Sequence, residues 1–373
     1  MNKQQFSASL KRAVSDDECL AIHDAYAKEL FDRGKYADAI SVYEQASDLT
    51  KSQNIKAYFM GKIGICRYYN GEDETAIQNL KISLQLFQPE QPEFMRDMYG
   101  FVLFHLGSLY EYHGKNNLSL EARRECEEKY LGCQEKDTKW MLYSGISRNY
   151  EAMGKHGEAI SYSQKAIQVL SDNDPELSYL YESLANNYME LQQYQEAIRH
   201  FSTVLELFPE FERLDEVQMK LANCYRQISN YAMALETYEK ILKLKQLTTR
   251  SKDIVWIYLK LAECHFRMSS YEKSLLAAFE AIHQSSRNPQ EKAEALSFQT
   301  NNYYELGRYQ EAVRTGEKVL KLAQRFPNDD LFYVRMTLAF HKLGDKKSFV
   351  KYRAIVRKLF KGDTWTKYLE KLS

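Results

Sequence analysis

Apolar residues recur along this chain at the three-to-four-residue spacing of helices buried on one face, not with the alternation of strands. Leu106, Gly107 and Tyr110, then Leu221, Ala222 and Tyr225, then Leu261, Ala262 and Phe266 repeat one arrangement. The fullest copy lies in residues 178–210, where Leu184, Ala185 and Tyr188 are followed by Tyr194, Ala197, Phe201 and Pro209. It reads as a helix A, a turn and a helix B. Sliding it along the sequence finds the same pattern around Ala39, Ala76, Ser119, Ala159, Ala197, Ala234, Ser274, Ala312 and, more weakly, Phe349. The spacing runs from 37 residues, as between Ala39 and Ala76, to 43, as between Ala76 and Ser119. A small residue recurs because helix B crosses close to helix A there, and a large side chain would hold the backbones apart.

Five residues before each small residue lies the predicted turn, at Gly34, Gly71, Gly114, Gly154, Gly307 and Gly344. Glycine there can adopt the left-handed conformation that ends a helix. Gln192, Ser229 and Ser269 hold that place in the remaining units. Pro89, Pro92, Pro175, Pro209, Pro289 and Pro327 all fall between one helix B and the next helix A. None enters a predicted helix interior, where it would cost about 3 kcal/mol. No strand is supported, although residues 1–15, 88–95 and 128–138 are less regular. The expected fold is all-α: a right-handed superhelical solenoid of about nine helix pairs. It spans residues 17–360, after an N-terminal extension over 1–16 and before a C-terminal capping helix over 361–373.

The spacing of Leu184, Ala185 and Tyr188 with Tyr194, Ala197, Phe201 and Pro209 resembles the tetratricopeptide repeat, with weaker copies elsewhere. Such repeats are nominally 34 residues long, so the longer intervals here imply an extra helical turn or longer loops. Long repeats in an array of this size are similar to the peptide-binding domain of the RRNPP family, the peptide-sensing regulators of Gram-positive bacteria. Members acting on response regulators carry an N-terminal three-helix bundle, and others a DNA-binding helix-turn-helix domain. A first repeat near residue 17 leaves room for neither within these residues.

Composition narrows the function classes. Lys plus Arg and Asp plus Glu each total 51, so the chain as a whole attracts neither nucleic acid nor membrane. No apolar run reaches the roughly 18 residues of a membrane span, and the first residues lack a signal-peptide core, so the chain reads as cytoplasmic. Cys19, Cys66, Cys126, Cys133, Cys224 and Cys264 are scattered without metal-ligand spacing and read as core thiols. A Gly-rich phosphate loop, GxSxG and HExxH are all missing, and no cofactor is implied. One basic stretch remains, with ten Lys and Arg between Lys342 and Lys371 against Asp345, Asp363 and Glu370. Its bland reading is a solvated cap, and its functional reading is acidic-partner or phosphate binding.

In stacked helix pairs the A helices line the concave face, so the side chains they turn away from helix B are candidates for ligand contact. Two residues before the Tyr188-type position the units read Lys28, Ile65, Ser108, Arg148, Asn186, Asn223, Glu263, Asn301 and Leu338. A carboxamide both donates and accepts, so Asn186, Asn223 and Asn301 could hold the backbone of an extended peptide. The resemblance implies the same role, because helix-A asparagines of RRNPP-like proteins hold peptide backbone. The opposing reading is compositional drift, since Asn149, Asn187 and Asn302 lie beside this register. Arg148, Arg226 and Arg267 could fork a peptide carboxylate or instead pair with Glu151, Glu190 or Glu263. Tyr68, Tyr179, Trp256 and Tyr304 could wall apolar subsites or seal neighbouring repeats.

The expectation is a non-enzymatic peptide-sensing regulator or adaptor that binds a short peptide or partner tail in its concave groove. The alternative is a scaffold that uses its convex surface or basic C-terminus. A phosphatase-type regulatory enzyme is a third class, disfavoured by the missing bundle. A homodimer through the array ends is compatible with the sequence.

Overall fold

In the computed structural model, the described residues are 1–88, 93–130, 136–246, 251–285, 288–322, 330–359 and 364–372. Pro89, Pro92, Cys133 and Pro327 lie outside them. The chain divides into two compact units, Met1–Gln192 and Gln193–Ser373.

The first unit holds α1 (Lys3–Arg12), α2 (Asp16–Asp32), α3 (Tyr36–Leu49), α4 (Gln53–Tyr69), α5 (Asp73–Leu86), α6 (Glu93–Tyr112), α7 (Asn116–Tyr130), α8 (Lys136–Ala152), α9 (His156–Val169) and α10 (Leu177–Glu190). The second holds α11 (Tyr194–Leu207), α12 (Leu214–Gln227), α13 (Tyr231–Gln246), α14 (Ser251–Arg267), α15 (Tyr271–Gln284), α16 (Pro289–Glu305), α17 (Tyr309–Leu322), α18 (Asp330–Lys342), α19 (Lys346–Leu359) and α20 (Thr364–Glu370). Consecutive helices pack as pairs within each unit. Helices A of neighbouring pairs also touch: α4 with α6, α6 with α8, α14 with α16, and α16 with α18.

The turns follow from backbone chemistry. Gly34, Gly71, Gly114, Gly154, Gly307 and Gly344 have φ between 68° and 78°. Gln192, Ser229 and Ser269 adopt the same left-handed conformation at 58°, 61° and 56° despite their side chains. The Gly34 amide donates to the Phe31 carbonyl and the Lys35 amide to the Leu30 carbonyl, at 2.8 and 2.9 Å. This is the Schellman closure, which satisfies carbonyls that the helix end leaves open. The 6→1 bond recurs from Glu72 to Arg67, from Lys155 to Tyr150 and from Ser270 to His265.

The crossing residues Ala39, Ala76, Ser119, Ala159, Ala197, Ala234, Ser274 and Ala312 are fully buried, and Phe349 is nearly so. Where serine replaces alanine, its hydroxyl binds helix A: Ser119 Oγ donates to the Gly107 carbonyl and Ser274 Oγ to the Ala262 carbonyl, both at 2.7 Å. These bonds offset the cost of burying a hydroxyl. Pro175 and Pro209 sit in inter-pair loops, whereas Pro289 is the first residue of α16, where a missing N–H costs no helical hydrogen bond.

At the N-terminal end, the fold contains more order than the sequence pattern registers. Residues 3–12 form a helix with a reciprocal Asn2–Gln5 capping box. Its Phe6 stacks on Tyr26 and meets His23 edge-on, extending the first pair's core. At the other end Leu369 of α20 is buried in the cluster containing Phe349, Tyr352 and Val356.

Candidate functional site on the A helices

The expected ladder positions do not form one uniform surface. Asn186 is half-buried. The Asn223 Oδ1 accepts from Arg226 Nη2 at 3.2 Å and from the Tyr238 hydroxyl at 3.3 Å, which ties it to its own helix pair. Asn301 is 4% exposed, so a ligand could reach its carboxamide only if the helices around it parted.

The arginines are mostly engaged. Arg148 Nε donates to Glu111 Oε1 at 2.6 Å, and Arg226 Nη1 to Glu263 Oε1 at 2.9 Å. The Glu263 pairing matches one of the partners expected from sequence, whereas Glu111 lies 37 residues before Arg148, in the preceding repeat. Arg267 is exposed. Tyr179 is partly exposed, while Trp256 packs edge-on against Tyr238 with Lys260 5.6 Å from its ring. Tyr304 packs on Tyr309.

The asparagines one position further on are buried ties between pairs. Asn149 Oδ1 accepts from Arg123 at 2.8 Å and from Ser119 at 3.0 Å. Asn187 Nδ2 donates to Glu151 at 2.6 Å, and Asn302 Nδ2 donates to the Ser274 hydroxyl at 2.8 Å. Their recurrence is packing chemistry and not drift. A buried carboxamide must find partners, and the preceding helix pair supplies them.

An open pocket of about 400 Å³ lies at the other end of the register, within the first unit. Its lining comprises Lys28, Phe31 and Asp32 of α2, Tyr43 of α3, Tyr58, Lys62, Ile65, Cys66 and Tyr69 of α4, and Asp97, Met98, Phe101 and His105 of α6. Lys28 and Ile65 belong to the same periodic position as Asn186. The neighbours Tyr58, Lys62, Phe101 and His105 were missed from sequence. Their signal was a polar residue placed at i+4 on an aromatic stripe, as in Tyr58–Lys62 and Phe101–His105.

Burial controls the ionisation of this pocket. His105 is 5% exposed among Tyr68, Tyr69, Phe101 and Phe104. Desolvation, helped by the Lys62 charge, lowers its pKa to about 4, so the imidazole is neutral near pH 7. Burial pushes the Cys66 thiol up to about 12, with Lys62 pulling the other way, so it is no thiolate nucleophile. The Tyr58 hydroxyl is raised by burial and by Asp24, whose carboxylate it donates to at 3.1 Å. Lys62 Nζ lies 5.3 Å from the Tyr58 ring centre. Among the described residues, neither Lys28 nor Lys62 has a carboxylate within ion-pair distance. No cluster of three or more metal-ligating side chains occurs among the described residues, and none of their helices is long and apolar enough to cross a membrane.

Residues 140–210 and 176–246 match one model of the tetratricopeptide repeat and residues 18–57 match another, so these stretches are tetratricopeptide repeats. Neither model describes an enzyme. No curated protein sequence matches the chain. Among solved structures, the C-terminal part of a TPR repeat-containing protein from Cytophaga hutchinsonii aligns with a TM-score of 0.55 at 17% identity, covering 72% of this chain and 98% of that one. The apo form of RapI aligns with a TM-score of 0.53 at 16% identity, covering 85% of this chain and 96% of that one. Likeness at these identities concerns the fold alone, an array of stacked helix-pair repeats.

Proposed function

We propose that this chain of tetratricopeptide repeats is a non-catalytic adaptor or sensor that binds an extended peptide or partner tail along its A helices. One observation carries the reading: the pocket between α2, α4 and α6 presents aromatic walls together with two lysines that, among the described residues, form no ion pair. Side chains needed only for packing would be covered, whereas these stay open at the face where adjacent A helices meet. The resemblance to the peptide-sensing RRNPP regulators and the fold shared with RapI agree with this reading. The accessible asparagine, Asn186, and the exposed Arg267 are further candidate contacts in each unit's own surface. The reading includes a cytoplasmic location, where the buried thiols Cys66, Cys126, Cys224 and Cys264 stay reduced.

The test is thermal unfolding against a panel of extended peptides, followed by calorimetry. A bound peptide raises the midpoint progressively with its concentration. If no peptide shifts the midpoint while intact proteins bind through α19, the scaffold alternative replaces this reading. That alternative has its own support: α19 carries Lys346, Lys347, Lys351, Arg353, Arg357 and Lys358 and no acidic residue.

A further inference from the structure

We propose that the α2–α4–α6 pocket receives an aromatic side chain of the bound segment, Tyr or Trp, while Lys28 and Lys62 take up a carboxylate beside it. This rests on the A-helix face being the binding surface and adds the chemistry of what it selects.

The cavity of about 400 Å³ has room for a ring and its adjoining backbone. Phe31, Tyr58, Tyr69 and Phe101 line it and offer edges and faces to a guest ring. Phe101 is a large apolar side chain left 43% exposed at this surface.

The polar atoms define the rest of the guest. Asp97, Phe101 and His105 follow one another at four-residue intervals and share one stripe of α6. Asp97 Oδ1 and His105 Nδ1, at the two ends of that stripe, are buried without a hydrogen-bond partner. Such atoms carry a desolvation cost that a bound group can recover. A carboxylate oxygen accepts only, so the group that suits Asp97 is a donor, such as a phenol O–H or an indole N–H.

The charges choose between an acidic and a basic neighbour for that ring. A cationic guest could stack on the Tyr58 face, but Lys62 already stands 5.3 Å from that ring and would repel it. Asp32 and Asp97 line the same pocket, yet neither lies within ion-pair distance of Lys28 or Lys62, so both ammonium groups remain available to a guest. A carboxylate next to the guest ring completes them.

The probes are the capped tripeptides acetyl-Asp-Tyr-Asp-amide, acetyl-Lys-Tyr-Lys-amide and acetyl-Asp-Ala-Asp-amide, with free 4-hydroxyphenylacetate as a fourth. Binding to the full chain is followed by NMR titration at low salt. The acidic aromatic tripeptide is expected to bind about tenfold more tightly than the other two, a difference within reach of one lost contact. The variant Lys28→Met/Lys62→Met removes its advantage over the lysine tripeptide without unfolding the chain, because both side chains reach solvent. Equal binding of all three tripeptides overturns the inference but leaves partner-segment binding standing. Tightest binding of the lysine tripeptide overturns the assigned charge. Binding of 4-hydroxyphenylacetate with no tripeptide binding supports the aromatic-acid chemistry and overturns the partner-segment reading beneath it. No binding by any probe overturns the inference.

Discussion

Arg123 Nη2 donates to Glu111 Oε2 across 2.6 Å, and the guanidinium that does so is only 1% exposed. The arginine threads between two glycines: a Cβ on Gly107 would meet its Cγ at 2.8 Å, and one on Gly145 would meet its Cζ at 2.5 Å. Its Nη1 donates to the Gly145 carbonyl at 3.0 Å and to Asn149 at 2.8 Å, which binds α7 to α8. Glu111 also takes Arg148, so one carboxylate anchors two arginines from successive pairs. Glu111→Gln leaves a buried guanidinium without its counter-charge and is expected to cost about 3 kcal/mol in urea unfolding. Adding Arg123→Met should cost much less than the sum of the two single changes, because the pair is shared.

The same carboxylate carries an acid dependence. Burial pushes the Glu111 carboxyl up, but the Arg148 hydrogen bond and the charges of Arg123 and Arg148 outweigh it and hold the pKa below the ordinary 4.5. A depressed folded-state pKa contributes stability that is present above pH 4.5 and lost as pH falls through the folded value. Unfolding midpoints measured below pH 4.5 should therefore fall less steeply in Glu111→Gln than in the parent protein.

His105 acts over a higher range. Its folded pKa lies at about 4, against 6.5 for the free imidazole, because burial and then Lys62 disfavour the charged ring. The unfolded chain takes up the proton first on acidification, so stability is lost between pH 6.5 and about 4. His105→Phe should flatten the stability profile over that interval. An unchanged slope would mean that the ring is not buried among Tyr68, Tyr69 and Phe104.

Ser269 holds φ of 56° at a turn where six other units use glycine. A left-handed non-glycine residue costs about 1–2 kcal/mol, so Ser269→Gly should stabilise by about 1 kcal/mol after the entropy of the added glycine is subtracted. The mirror experiment is Gly307→Ala, which has open space around the new methyl and should lose about 1 kcal/mol through backbone strain alone. Denaturant midpoints measured together would show opposite signs.

Gly64 sits inside α4, where glycine weakens a helix, yet it is buried against α5. A Cβ there would lie 2.7 Å from Leu80 Cδ2 and 3.1 Å from the Leu80 backbone nitrogen. Gly64→Ala gains helix propensity but should still destabilise by roughly 1–3 kcal/mol, since the backbone cannot give way. A neutral or stabilising result in urea unfolding would show that the α4–α5 crossing is looser.

The helix pairs, their turns and their crossing residues were legible in the sequence because each depends on local chemistry. A left-handed turn calls for glycine five residues before a small residue, and Gly34 with Ala39 or Gly154 with Ala159 satisfies both conditions without any distant partner. Even Gln192, Ser229 and Ser269 could be placed, because the flanking pattern fixed their position. The site was less legible, because exposure along a helix face depends on what the next repeat covers. Asn186, Asn223 and Asn301 share one register, yet the first is half-buried, the second is held by Arg226 and Tyr238, and the third is enclosed. The Arg123–Glu111–Arg148 tie and the pocket around His105 join residues from different repeats. Periodicity sets the direction in which each side chain leaves its own helix, and only packing between helices decides whether it meets a neighbour, a cavity or solvent.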